Sequence, residues 1–322
     1  MPSPLEQLSA GALGWLGRNL DHFDPFSASA PSATHGKAKA ALELALLCHR
    51  AGGPNGTPEA LGGATALVRK LWQDPDFPRL FDEVPGYAAT YGLIYAALAP
   101  DGIDGTQCRA ALARLDPDFL SSRGKSAYRR VEIRYYADKA GVRHTVEPYA
   151  ALLPHSPLVA FRAAGPEGEA RAADAAPGSG TRTPESTAPL TTPQAYALTH
   201  TAFYLGDFGR AATGLAEDVR SPASELVDLM LLHCVAHDRW DLAAELVLTQ
   251  YILGVDPLRT SSGSAAVECL VRAQRPDGAI PARSAALMAP ASTTGGAFFR
   301  KAYHTTLVTA LMASVVPSPR PS

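Results

Sequence analysis

Between Gln194 and Gly209 the chain carries His200, Tyr204 and Asp207 at spacings of four and three within an otherwise apolar stretch. On an α-helix this spacing places three titratable side chains on one face and leaves Leu198, Ala202 and Leu205 to pack on its neighbours. An apolar helix with one such stripe is either a core helix whose polar groups are paired or the wall of a polar cavity. In a cavity the stripe would move protons. Histidine, with an ordinary pKa of about 6.5, both takes and gives protons near neutrality, and Tyr204 or Asp207 would orient it. His-Thr dipeptides recur at His144 and His304, and those at His200 and His304 are read as beginning long apolar helices. In a ring of like-directed inner helices these first-turn residues would meet at one mouth of the cavity. His200, Tyr204, Asp207 and His304 are therefore the candidate catalytic residues.

Charged groups add a second layer. The basic run Arg123, Lys125, Arg129, Arg130 and Arg134 is interleaved with Tyr128, Tyr135 and Tyr136. That pattern suits an acidic peptide held through charge-assisted hydrogen bonds, and a solvated helix face is the alternative. Arg129, Arg130, Arg134, Asp138 and His144 are the candidate substrate-binding residues. Glu268 interrupts the apolar run from Ala265 to Val271 and should pair with Arg272, four residues on. Glu225 and Asp228 read as solvated or capping residues.

The elements that must position these groups read as helices throughout. Apolar residues at three-and-four spacing predict helices over 5–20, 36–50, 86–99, 104–115, 125–140, 148–153, 193–205, 221–237, 239–253, 261–274 and 296–315, and Thr57-Pro58 predicts another helix start. No hairpin or βαβ signal appears. Residues 163–192 are rich in Gly, Pro, Ser, Thr and Ala, too polar to bury enough surface to offset their ordering entropy, and are expected to form a disordered insertion. The expected organisation is an N-terminal helical half over 1–162, this linker, and a C-terminal half over 193–316.

After the linker, helices come in pairs joined by short turns, as in a solenoid or one closed into a ring. The turn Gln274-Arg-Pro-Asp-Gly278 resembles the inter-helix turn of α/α-toroid proteins, a group that includes prenyltransferases, terpene cyclases and lanthionine cyclases. The expected fold is an all-α toroid. Lanthionine cyclases of that class hold zinc with two cysteines and a histidine, two of them adjacent in the C-terminal half. Here the pairs are Cys48-His49 and His233-Cys234 with His237. Adjacent helical residues point about 100° apart, and Cys48-His49 lies near the start of the chain, so no metal is expected. Asp-Asp-x-x-Asp, Gly-x-Gly-x-x-Gly, Walker and Gly-x-Ser-x-Gly patterns are missing, which argues against terpene ionisation, nucleotide binding and hydrolase-elbow chemistry. No cofactor is expected.

The segments Tyr128 to His144 and Ala195 to Gly209 resemble an actinobacterial family often encoded beside genes for ribosomally made, modified peptides, including class V lanthipeptides. The likeness implies a role in maturing a precursor peptide. Its concrete form would be a metal-independent cyclase adding a cysteine thiol to a dehydroamino acid. The alternative is a non-catalytic helical scaffold that binds the precursor peptide, or a partner kinase or lyase of the same pathway. An α/α-barrel carbohydrate enzyme would need two carboxylates facing each other across a cavity.

Composition narrows the partners. The 322 residues are 46% hydrophobic and 19% charged, enough to bury a large core. A net charge of -2 gives no reason to expect binding to nucleic acid or an anionic membrane. No window reaches the roughly 18 consecutive apolar residues of a membrane helix, and Cys48, Cys108, Cys234 and Cys269 form no CxxC pair. A cytoplasmic location is expected. Arginine far outnumbers lysine, as GC-rich actinobacterial genomes favour.

Overall fold

Helix starts follow local side-chain chemistry. Ser3 and Glu6 cap each other's backbone N–H groups ahead of Pro4, and Thr191 and Gln194 form the same box ahead of Pro193. Ser126 caps one helix that ends at Gly141 in the left-handed region, and Thr260 caps another. The computed structural model describes residues 2–29, 34–52, 58–161, 188–283 and 296–317. Among these, the helices of eight or more residues are α1 Pro4–Arg18, α2 Thr34–Ala51, α3 Gly62–Gln73, α4 Ala88–Ala97, α5 Thr106–Ala113, α6 Ala127–Ala140, α7 Thr192–Leu205, α8 Glu217–Ala236, α9 Trp240–Ile252, α10 Ser261–Ala273 and α11 Gly296–Val315. No strand occurs among the described residues, where a single isolated bridge joins Arg239 to Arg283.

Two helix boundaries differ from the sequence reading. α8 begins at Glu217, not Ser221, and carries Pro222 within it, because Glu217 and Asp218 supply an acidic first turn upstream of the proline. The expected linker ran to 192, but Leu190 is buried and Thr191 caps α7. Residues 163–187, and Thr57, lie outside the described residues.

Six helices touch in a cycle: α2 packs on α4, α4 on α6, α6 on α7, α7 on α9, α9 on α11, and α11 back on α2. Around them, α3 lies on α2, α5 on α4, α8 and α10 on α9, and α1 on α11. Buried residues from both sides of the linker belong to one hydrophobic cluster. α9 is buried continuously from Leu242 to Gln250.

Direction within the cycle is fixed at the turn after α7. A Cβ on Gly206 would meet the Ile252 side chain, and one on Gly209 would meet Val315 and Tyr251. Asp207 receives ion pairs from Arg50 and Lys139. The C-terminal ends of α2, α6, α7, α9 and α11 thus converge on one turn, so these five helices run the same way.

The Gln274–Gly278 turn fastens α10 to α1. Gln274 Nε2 donates to the Leu8 carbonyl at 3.1 Å, and Arg18 donates to the Asp277 carbonyl at 2.5 Å. Gly278 has φ of +90°, and a Cβ there would lie 2.0 Å from the Gly11 carbonyl oxygen. Only glycine fits that approach.

Candidate functional site

The six helices enclose a cavity of about 540 Å³. Its Lys, Arg, Glu and His lining comes from five of them: Lys39 and Glu43 on α2, Arg129 and Glu132 on α6, His200 on α7, Glu245 on α9 and His304 on α11. An unpaired buried carboxylate costs several kcal/mol, so Glu245, 1% exposed, requires partners. It has three. Thr199 Oγ1 donates to Oε2 at 2.6 Å, His200 Nε2 lies 3.6 Å from Oε2, and His304 Nε2 lies 3.6 Å from Oε1. The other nitrogen of His304, Nδ1, is 3.2 Å from Glu43 Oε1, and Lys39 approaches the same oxygen at 3.5 Å. The Tyr128 hydroxyl is 3.3 Å from His200 Nδ1. The result is a continuous chain, Glu43 to His304 to Glu245 to His200 to Tyr128, along the cavity wall.

Two carboxylates flank His304. Burial alone would lower the pKa of His304, but Glu43 and Glu245 outweigh it and push the group up to about 10, with Lys39 opposing. Burial alone would raise Glu43, yet His304 and Lys39 hold it at about 2. Glu245, raised by burial, is held far below the usual carboxylate range by His200 and His304. His304 is therefore a lasting imidazolium with both nitrogens facing carboxylates, a fixed positive charge rather than a shuttle. His200 has Nε2 toward Glu245, which selects the Nε2–H tautomer and leaves Nδ1 as the basic atom. Its ring is surrounded by Tyr128, Tyr196, Phe203 and Tyr204 at centroid distances of 5.7 to 6.4 Å.

The structure brings His200 and His304 to one carboxylate, both from mid-helix positions rather than first turns. Tyr204 also lines the cavity, but its hydroxyl donates to Glu132 Oε1 at 3.3 Å, not to a histidine. Asp207 requires correction. α7 stops at Leu205, and Asp207 and Phe208 follow with φ of +45° and +52°, so the i+7 alignment with His200 is lost. Asp207 instead accepts from Arg50 Nη1 at 3.0 Å and the Tyr135 hydroxyl at 2.8 Å, and pairs with Lys139 Nζ at 3.0 Å. Its role is to tie helix ends together beneath the cavity.

The Arg50 side chain is 1% exposed, and removing one member of a buried pair typically costs about 3 to 5 kcal/mol. Asp207→Asn, which tolerates the left-handed backbone, should lower unfolding free energy by about 3 kcal/mol in urea titrations. An unchanged midpoint would make the Arg50–Asp207 pair energetically idle.

The basic residues of α6 separate. Arg129 lines the cavity, bonded to Glu132 and Thr90, with its guanidinium 5.5 Å from the Phe119 ring. The others do not line it. Arg130 pairs with Glu147 at 3.1 Å, Arg134 donates to the Val146 carbonyl at 2.9 Å and pairs with Asp138 at 3.4 Å, and His144 pairs with Asp138 at 2.9 Å. They bind the segment after α6 back onto it, so an acidic peptide docking there would compete with existing partners.

Sequence reasoning missed Glu43, Glu132 and Glu245. Glu43 and Glu245 interrupt apolar runs, the same signal that singled out Glu268. Glu268 is exposed, 4.0 Å from Arg272, because α10 keeps an outward polar stripe of Ser261, Ser264, Glu268 and Arg272. Burial pushes the Cys48 thiol up to about 11, and no three His, Cys, Asp or Glu residues among those described converge as metal ligands.

The described residues form an all-helical protein whose helices line a cavity holding a chain of carboxylates and imidazoles. The family model described as a domain of unknown function, DUF6895, matches residues 9–314. The chain belongs to that family. No curated protein and no solved structure matches it. No helix of the described residues is long and apolar enough to cross a membrane.

Proposed function

We propose that the chain is an α/α toroid that performs acid–base chemistry in its central cavity, as a cyclase joining a cysteine thiol to a dehydroamino acid of a ribosomally made precursor peptide. The observation that carries this reading is Glu245, buried and shared by His200 and His304 at 3.6 Å each. A carboxylate that orients one imidazole and keeps another charged is the arrangement that thiol addition needs. His200 Nδ1, directly or through the Tyr128 hydroxyl, takes the thiol proton. The sulfur attacks the β-carbon, the double-bond pair moves to the α-carbon as an enolate, and the proton taken from sulfur ends on that carbon. The fixed charge of His304 stabilises the enolate oxygen. No atom is gained or lost.

A glycosidase reading finds three carboxylates around the cavity, Glu43, Glu132 and Glu245. It would need one acid kept protonated near neutrality, whereas Glu43 and Glu245 are both shifted the other way. The scaffold alternative predicts no chemistry at all.

The test uses a synthetic peptide carrying one dehydroalanine and one cysteine. Ring closure leaves mass unchanged but removes the thiol, so loss of alkylation by N-ethylmaleimide reports it. His200→Asn should slow the reaction roughly 100-fold, the usual contribution of one general base. If wild-type protein protects no thiol beyond the uncatalysed rate, the cyclase reading falls.

A further inference from the structure

The cavity changes character with depth. Lys39, Tyr128, Arg129, Tyr196, His200 and His304 are all partly exposed, whereas Phe203, Phe208, Leu307, Val308 and Leu311 are buried. Because α2, α6, α7, α9 and α11 run the same way, each step along them moves down the cavity. Leu307 and Leu311 follow His304 by three and seven residues, Leu46 follows Glu43 by three, and Phe203 follows His200 by three. At 1.5 Å per residue, Leu311 lies roughly 10 Å beyond His304 along the helix. No group that ionises near neutrality lines the cavity below the level of Glu132, His200, Glu245 and His304.

Buried Phe208 lines the deep end, and the Arg50 guanidinium stands 5.5 Å from that ring while bonded to Asp207. Aromatic walls favour an aromatic occupant, since edge-to-face and offset contacts add to simple burial, and the rings of Phe203, Tyr204, Phe208 and Tyr136 all face this space.

We infer that the floor beneath the Glu43–His304–Glu245–His200 chain is a binding pocket for one aromatic side chain of the substrate, which anchors the peptide while its reacting thiol lies at the level of His200. This rests on the reading of the cavity as the place where the peptide reacts. The floor recognises one short aromatic group; the polar chain above it handles the proton.

Indole is the probe, titrated into the purified full-length protein by calorimetry and followed in parallel by methyl NMR. Saturable binding is expected, with the largest shifts at Leu46, Leu307, Val308 and Leu311. Leu307→Trp, which fills the floor, should weaken indole at least tenfold, and Glu268→Gln, on the exposed face of α10 away from the cavity, should leave it unchanged. Should Leu307→Trp not fold, Leu311→Phe and the wild-type shift map decide the question. Absence of saturable indole binding, methyl shifts elsewhere, or octanoate binding more tightly than indole would overturn the inference. Indole bound at the floor of a protein that protects no thiol would keep the pocket and discard the cyclase. Thiol protection without indole binding would do the reverse.

Discussion

Replacing Glu245 with glutamine is expected to lower thioether formation by roughly a thousandfold or more, beyond the loss from either histidine alone. The carboxylate acts twice. It faces His200 Nε2 and so sets which nitrogen is basic, and it faces His304 Nε2 and helps keep that ring charged. Glutamine preserves shape and the Thr199 contact but supplies no charge. With Glu43 as its only remaining carboxylate, His304 should titrate well below about 10, visible in the imidazole carbon and proton resonances. Circular dichroism separates this from unfolding. A variant that keeps its activity within about threefold and an unshifted His304 titration would remove Glu245 from the mechanism.

The second large effect is on stability against pH. His304 has a folded pKa raised to about 10, so its pairing contributes fully below the unfolded value near 6.5 and is lost as pH rises through about 10. Glu43 shifts the opposite way, contributing above about 4.5 and losing its contribution as pH falls toward 2. Wild type should therefore exceed His304→Gln in unfolding free energy by several kcal/mol near pH 6, since Gln takes from two carboxylates the cation they share. The gap should close between pH 6.5 and 10. His49, held down to about 4 chiefly by burial and then by Arg50, Lys139 and Arg210, changes equally in both proteins and drops out of the difference. Lys39 and Tyr303 also face Glu43. A pH-independent gap in urea unfolding would show that the imidazolium is not what stabilises the cluster.

The sequence exposed much of this fold because helices announce themselves locally. Apolar spacing placed most helices within a few residues of where they lie, and the structure adds Ser3, Ser126 and Thr260 as caps of three of them. His200 and His304 were legible as polar groups on apolar helices. Glu43 and Glu245 were not, because helices that line a cavity turn the usual rule around: a polar residue among apolar ones can face the cavity rather than solvent. In sequence, Lys39-Glu43 on α2 looks no different from Ser264-Glu268 on α10, yet one lines the cavity and the other meets solvent. Asp207 misled because spacing assumes that the helix continues. Gly206 ends α7 one residue too soon for that assumption.

The clasp between α1 and the Gln274–Gly278 turn spans 266 residues from Leu8 to Gln274 and 259 from Arg18 to Asp277. On the ribosome, α1 must therefore wait for α10 before it finds its seat. Contacts so distant in sequence carry a loop-closure cost that is repaid only when both partners are present, which slows folding. Glu43 is synthesised long before His304, so a nascent chain holds this acid before the imidazole that faces it. The Glu43–His304–Glu245–His200 chain cannot assemble halfway: α11 brings both the surface that packs back on α2 and the imidazole shared by Glu43 and Glu245.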